Sequence, residues 1–158
     1  MTGSPVSYID LFKVEAMIPE LATSAKDDVV EEMVSAPVAG GVLPKARRQQ
    51  AIDAIQAREA RGSTGLGKGI AIPHAKLPGL RKQAAVVARS SVGVDFRAVD
   101  GEPVHVLVLL ISPESRPEDH LSLLKWVSGM ARDPDFASFI RQAAQPEQML
   151  DVLQERAV

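Results

Sequence analysis

The chain has 158 residues, 46% of them hydrophobic and 24% charged, with a formal net charge of −2. These values fit one soluble globular domain, large enough to bury a core. The sequence contains no cysteine, which excludes disulfides, thiolate metal sites and cysteine nucleophiles.

Charge is unevenly spread: residues 45–82 carry nine Lys/Arg against two acids, and the segments on either side are acidic. A basic island of this kind suits an anionic ligand or an acidic protein partner; the alternative is a solvated helix face with scattered charges. The acidic overall balance and the six aromatic residues argue against nucleic acid. The opening "MTGSPVSYIDLF" has no basic segment followed by an apolar one, so no signal peptide is expected. The longest apolar run, "VHVLVLLI" at 104–111, is too short to span a bilayer. The expected setting is cytoplasmic, without membrane insertion.

In chain order, the pattern predicts a first helix over 22–35 with Val29, Val30, Met33 and Val34 inward, ended by Pro37 and Gly40-Gly41. A second helix follows Pro44, with Ala51, Ile52, Ala54 and Ile55 inward, and Gly62 stops it. Three β-type runs come next: 69–72, 84–92 and 104–111, the last two separated by a turn at "VDGEP", 99–103. Ser115 and Glu118 have capping-box spacing ahead of a helix carrying Leu121, Leu124, Val127 and Met130. Asp133-Pro134 reads as a cap and first turn ahead of Phe136, Phe139 and Ile140; Pro146 starts a last helix with Met149, Leu150 and Leu153 inward. Helices flanking a compact group of strands indicate a layered α/β domain.

"GSTGLGKGIAIPHAK", 62–76, begins like a nucleotide-binding loop, with Gly62, Gly67 and Lys68 at the right spacing. That motif needs a strand before it and a helix after it, and a hydroxyl on magnesium. Here a helix precedes, a β-type run follows, Gly69 replaces the Ser/Thr, and Pro73 interrupts any helix. Gly65, Gly67 and Gly69 fail the dinucleotide fingerprint for the same reason. What remains is a glycine-dense approach, able to turn amides toward an anion, leading into a short strand that ends at His74 beside Lys76. A histidine so presented can act as a nucleophile toward phosphorus; the plain alternative is a surface-loop histidine.

"REARGSTGLGKGIAIPHAK", 58–76, resembles the active-site signature of the type-2 enzyme IIA domains of the phosphoenolpyruvate-dependent sugar phosphotransferase system, a group spanning fructose, mannitol and nitrogen-regulatory members. The resemblance implies a single three-layer α/β/α domain over residues 1–158, its core about 8–156, with a small mixed β-sheet flanked by helices. It also implies transient phosphorylation of His74 by the histidine-containing phosphocarrier protein. The family's arginine sixteen residues earlier matches Arg58, and its second histidine matches His120 in "PEDHLSLL".

Near neutrality an unperturbed imidazole, pKa about 6.5, is readily neutral and nucleophilic. Arg58 offers a planar charged fork to phosphoryl oxygens, or is a polar helix face. His120 sits in the first helical turn, where the dipole favours an anion, or is an ordinary first-turn residue. Ser63 and Thr64 either donate hydroxyl hydrogen bonds to the phosphoryl group or shape the turn. His105 reads as a packed or edge-strand histidine, and no metal or other cofactor is assigned. Ala75 and Lys68 depart from the family pattern, where glycine and asparagine or an acid are common.

Two functions share the first step, both as a phosphotransferase-system component. One passes the phosphoryl group to a sugar-specific IIB component. The other, favoured by the stand-alone size and the form of the loop, signals through the phosphorylation state of His74 to a regulated protein. A third reading is an interaction domain that carries no phosphate.

Overall fold

The computed structural model describes residues 8–156. Its centre is β6 (Val104–Pro113), the run that is apolar on both faces. Strand residues alternate sides, so Val106, Val108 and Leu110 enter one core while Leu107, Leu109 and Ile111 enter the other. Along one edge β6 pairs antiparallel with β5 (Ala84–Val94), Val87 opposite Val108. β5 alternates in the same way, with Ala84, Val86 and Ala88 against Ala85 and Val87. The turn at 99–103 forms as expected, held by Gly101 N donating to Ala98 O at 2.9 Å and Glu102 N to Asp100 Oδ1 at 3.0 Å.

On its other edge β6 takes two short parallel strands in succession. β3 (Ile70–Ala71) pairs with Val106 and Leu107; β4 (His74–Leu77) pairs with the stretch from Leu110 to Pro113. β2 (Gly65–Gly67) adds antiparallel to β3, and β1 (Met17–Ile18) parallel to β5. The six strands form one mixed sheet, ordered β1-β5-β6-β3-β2 with β4 beside β6.

Two helices cover one face and three the other, which makes the expected α/β/α layering. α1 (Lys26–Ala39) and α2 (Arg48–Ala60) bury Val29, Val30, Met33, Val34, Ala51, Ile52 and Ile55. On the opposite face lie α3 (Pro117–Ala131), α4 (Pro134–Gln142) and α5 (Pro146–Arg156), with Leu123, Val127, Phe136, Ile140, Met149 and Leu153 at no measurable exposure. Each such side chain stabilises the fold by roughly 1.5–3 kcal/mol before entropy is counted. No described helix is long and apolar enough to cross a membrane.

Several boundaries differ from expectation for identifiable reasons. α1 begins at Lys26 because the Glu32 carboxylate accepts from the amides of Ala22 and Thr23, holding them outside the helix. Pro37 does not end α1 but lies in its last turn, and its carbonyl accepts from Val42 N and Leu43 N. The capping box of Ser115 and Glu118 does not form: Pro117 occupies the first helical position, Arg116 is the cap, and it makes no side-chain capping bond. The inward leucine of α3 is Leu123, while Leu121 is exposed. Phe139 is likewise on the surface, 39% exposed, and lies under the Arg156 guanidinium at 4.9 Å. Asp133 caps α4 as its sequence implies, accepting from Asp135 N at 2.9 Å.

Candidate functional site

The C-terminal end of α2 presents two adjacent charged residues in opposite directions. Glu59 turns inward and is buried. It meets Lys26 of α1 at 2.9 Å and accepts from the Thr64 amide at 3.2 Å and from the Thr64 hydroxyl. Arg58 turns outward, and its Nη1 donates to Gly62 O at 2.8 Å across the helix end. That bond fixes the guanidinium without neutralising it.

The chain then enters the glycine-rich stretch, which forms the β2–β3 hairpin. Gly67, Lys68 and Gly69 all have positive φ, at 89°, 57° and 81°, a conformation glycine adopts freely and lysine does not. The hairpin's amides are already engaged: Gly65 N donates to Ser63 Oγ at 3.0 Å and Lys68 N to Asp100 Oδ2 at 2.9 Å. The Ser63 hydroxyl donates to Phe96 O at 2.5 Å, and that of Thr64 is held by Glu59. Neither Ser63, Thr64 nor Lys68 lines the cleft that holds His74.

After Pro73 the chain extends again, so His74 opens a strand rather than ending one. Ala75 and Leu77 point into the core on the α1/α2 side; alternation sends His74 and Lys76 to the other face of this short strand. There His74 meets His120, which α3 supplies from its first turn, with ring centroids 5.5 Å apart and planes tilted by 43°. The two rings, Arg58, Arg61, Lys76 and Glu114 line one cleft of about 380 Å³, formed where α2 and α3 flank β4. Three permanent cations against one carboxylate make it a cleft for an anion.

The hydrogen bonds define how each ring is used. His74 Nδ1 lies 2.7 Å from Ile72 O. A carbonyl only accepts, so Nδ1 carries the proton and Nε2 keeps its lone pair. His120 Nδ1 lies 2.7 Å from Ser112 Oγ in the interior. The His74 pKa is lowered, first by burial and then by Arg58 and Lys76, with the Ile72 bond and Glu59 opposing. Burial, His74 and Lys76 push His120 down to about 4. Both imidazoles are therefore neutral near pH 7.

Among the residues singled out from sequence, the fold brings His74, His120 and Arg58 into one cleft and leaves Ser63 and Thr64 outside it. His105 stands five residues down β6 from Leu110, the strand partner of His74, roughly 16 Å away along a strand; its Nδ1 meets Ser90 O at 2.7 Å. Sequence reasoning missed Arg61 and Glu114. Arg61 was detectable, three residues after Arg58 and hence on the same helical side. Glu114 offered no signal, since only the β6–α3 connection brings it to the cleft.

The family model "Phosphoenolpyruvate-dependent sugar phosphotransferase system, EIIA 2" matches residues 10–156. The chain belongs to this EIIA type-2 family. A nitrogen regulatory protein of Bradyrhizobium diazoefficiens is 33% identical to it over 91% of this chain and 92% of the relative. A fructose-specific EIIA component of Haloferax volcanii is 32% identical over 90% of this chain and 91% of the relative. Among solved EIIA structures, the nitrogen regulatory protein IIA-Ntr of Neisseria meningitidis superposes with a TM-score of 0.83 at 25% identity, covering 92% of this chain and 97% of that one. This EIIA chain is thus similar to both nitrogen-regulatory and sugar-specific members, which are phosphotransferase components.

Proposed function

We propose that this EIIA domain is a phosphohistidine carrier that accepts a phosphoryl group on Nε2 of His74 from the histidine-containing phosphocarrier protein. The observation that carries the reading is the ring's arrangement: Nδ1 is bound to Ile72 O and the ring lines a cleft with Arg58, Arg61 and Lys76. In the transfer, the Nε2 lone pair forms the new N–P bond as the donor's N–P bond breaks. The released electron pair returns to the donor ring. The Nδ1 proton stays on His74, where the Ile72 carbonyl stabilises the positive charge that develops on the ring. No nucleotide or metal step is required, because positioning and charge balance dominate phosphoryl transfer.

Arg58 is assigned to the phosphoryl oxygens as a fork donor, and His120 as a neutral hydrogen-bond donor from the facing wall. Ser63 and Thr64 are assigned to shaping the turn, since their hydroxyls already have partners. The regulatory use of the phosphorylated state is favoured over onward transfer to a IIB component, because two nitrogen regulatory proteins are 33% and 38% identical to this chain and IIA-Ntr superposes with a TM-score of 0.83. Transfer to a sugar-specific IIB is the second reading, supported by the fructose-specific relative at almost equal identity.

A reconstituted phosphoenolpyruvate relay tests the carrier step. Wild type acquires acid-labile, base-stable label, and His74→Ala acquires none. Equal labelling of that variant removes His74 from the mechanism; absence of label in both leaves the interaction-domain reading.

A further inference from the structure

Behind His120 lies a chain of polar side chains that the phosphoryl step does not itself use. Gln83, just ahead of β5, is half-buried. Its Nε2 lies 3.2 Å from the backbone carbonyl of Asp119 and 3.2 Å from Ser112 Oγ. The carbonyl can only accept, so the amide NH₂, not its oxygen, must face this pair. Gln83 therefore donates to Ser112.

Ser112, near the end of β6, has no solvent exposure. Its hydroxyl proton needs an acceptor, and no buried side-chain polar atom among the described residues lacks a partner. With Gln83 donating to it, the remaining neighbour is His120 Nδ1 at 2.7 Å. The buried network closes only if Ser112 donates and Nδ1 accepts. The proton of neutral His120 then sits on Nε2, the ring atom without a partner among the described residues, on a ring that lines the cleft.

We propose that Ser112 and Gln83 are positioning residues that hold His120 as the Nε2–H tautomer, so that it presents a donor rather than a lone pair to a phosphoryl group on His74. A ring with its lone pair at Nε2 would repel the phosphoryl oxygens from the same position. The consequence for transfer rests on the carrier reading above; the tautomer assignment does not. Gln83 also fastens the Asp119 carbonyl, and with it the first turn of α3, to the strand that carries Ser112. Its polarity thus sets both the orientation of the helix start and the direction of the hydrogen bonds.

The test reads imidazole nitrogens by long-range ¹H–¹⁵N correlation on the unphosphorylated protein, with His74 as internal reference. Wild-type His120 shows a protonated Nε2. Gln83→Met keeps the length but removes the donor, so Ser112 can accept as readily as donate and the Nδ1–H form of His120 becomes populated. Ser112→Ala removes the bond and leaves a tautomer mixture. In the relay, Ser112→Ala slows His74 phosphorylation about tenfold, the scale of one hydrogen bond to a charged group, and has less than twofold effect when His120→Ala is already present.

An Nδ1–H His120 in wild type overturns the proposal. So does an unchanged pattern in Gln83→Met, or an equal slowing by Ser112→Ala with and without His120. The nitrogen measurement needs no phosphate, so a protein that accepts no phosphoryl group fails the carrier reading alone. Gln83→Met, of similar length at a half-buried position, keeps the test available should Ser112→Ala not fold.

Discussion

At the scale of single residues, the cleft surrounds His74, the proposed nucleophile, with charges that keep its ring neutral. Arg58 and Lys76 lower the His74 pKa, and burial does so more strongly; a cation nearby disfavours a second one on the ring. Lys76 acts on His120 in the same direction. Lys76→Ala is expected to raise both midpoints in an NMR titration, that of His120 from about 4 toward 6.5. In the proposed transfer the same cations stabilise the anionic phosphoryl group, so they favour both the neutral ring and the charged product. Arg58→Ala should slow phosphorylation of His74 by roughly 10–100-fold with the fold intact, read by the initial rate of the relay. Arg58→Lys should recover only part of this, because an ammonium lacks the planar fork. A normal rate in Arg58→Ala removes the residue from the mechanism.

At the scale of elements, the site depends on where α2 ends. Glu59 ties that end to Lys26 of α1 and to Thr64 at the start of the hairpin, while Lys26 Nζ also lies 4.4 Å from the centre of the Phe96 ring. Glu59→Ala leaves the Thr64 amide without its acceptor and Lys26 without a counter-charge, held only by Phe96 O at 3.3 Å and the Phe96 ring. It is expected to cost about 3 kcal/mol in urea unfolding, the scale for breaking a largely buried ion pair. Much of this was legible in the sequence where periodicity speaks. The inward residues of α1 and α2, the central β6 and the Asp133 cap follow from spacing and residue type alone. The hairpin's role was not legible, because glycine density looks alike whether the amides cradle an anion or bond to Ser63 and Asp100. β1 and β4 were too short to carry a period, so the strand at His74 could not be distinguished from a strand exit. Leu121 and Leu123 differ only by two positions on α3, and which faces the core depends on where Pro117 starts the helix.

At the scale of the whole molecule, the same burial that neutralises the histidines links stability to pH. His120 titrates near 4 when folded and near 6.5 when unfolded. As pH falls below 6.5 the unfolded chain takes up this proton and the folded one does not. Stability is therefore complete above about pH 6.5 and declines toward pH 4, by at most ~3 kcal/mol from this residue. His74, shifted in the same direction, adds to the decline. Urea midpoints at pH 7 and pH 5 should differ in wild type and differ less in His120→Gln; equal slopes would contradict the assignment. Arg58, His74 and His120 come from three elements, and the sequence could align them with a family signature but not set their distances. The layered fold does that, since α2 and α3 pack on opposite faces of the sheet and both reach β4. The central claim is that Nε2 of His74 receives the phosphoryl group. Phosphorus–nitrogen coupling on ¹⁵N-labelled protein, phosphorylated through the relay, measures this directly. A single phosphorus coupled to Nε2 of His74, with Nδ1 still protonated, is the expected result; phosphorus on Nδ1, on His120 or on no histidine would contradict it.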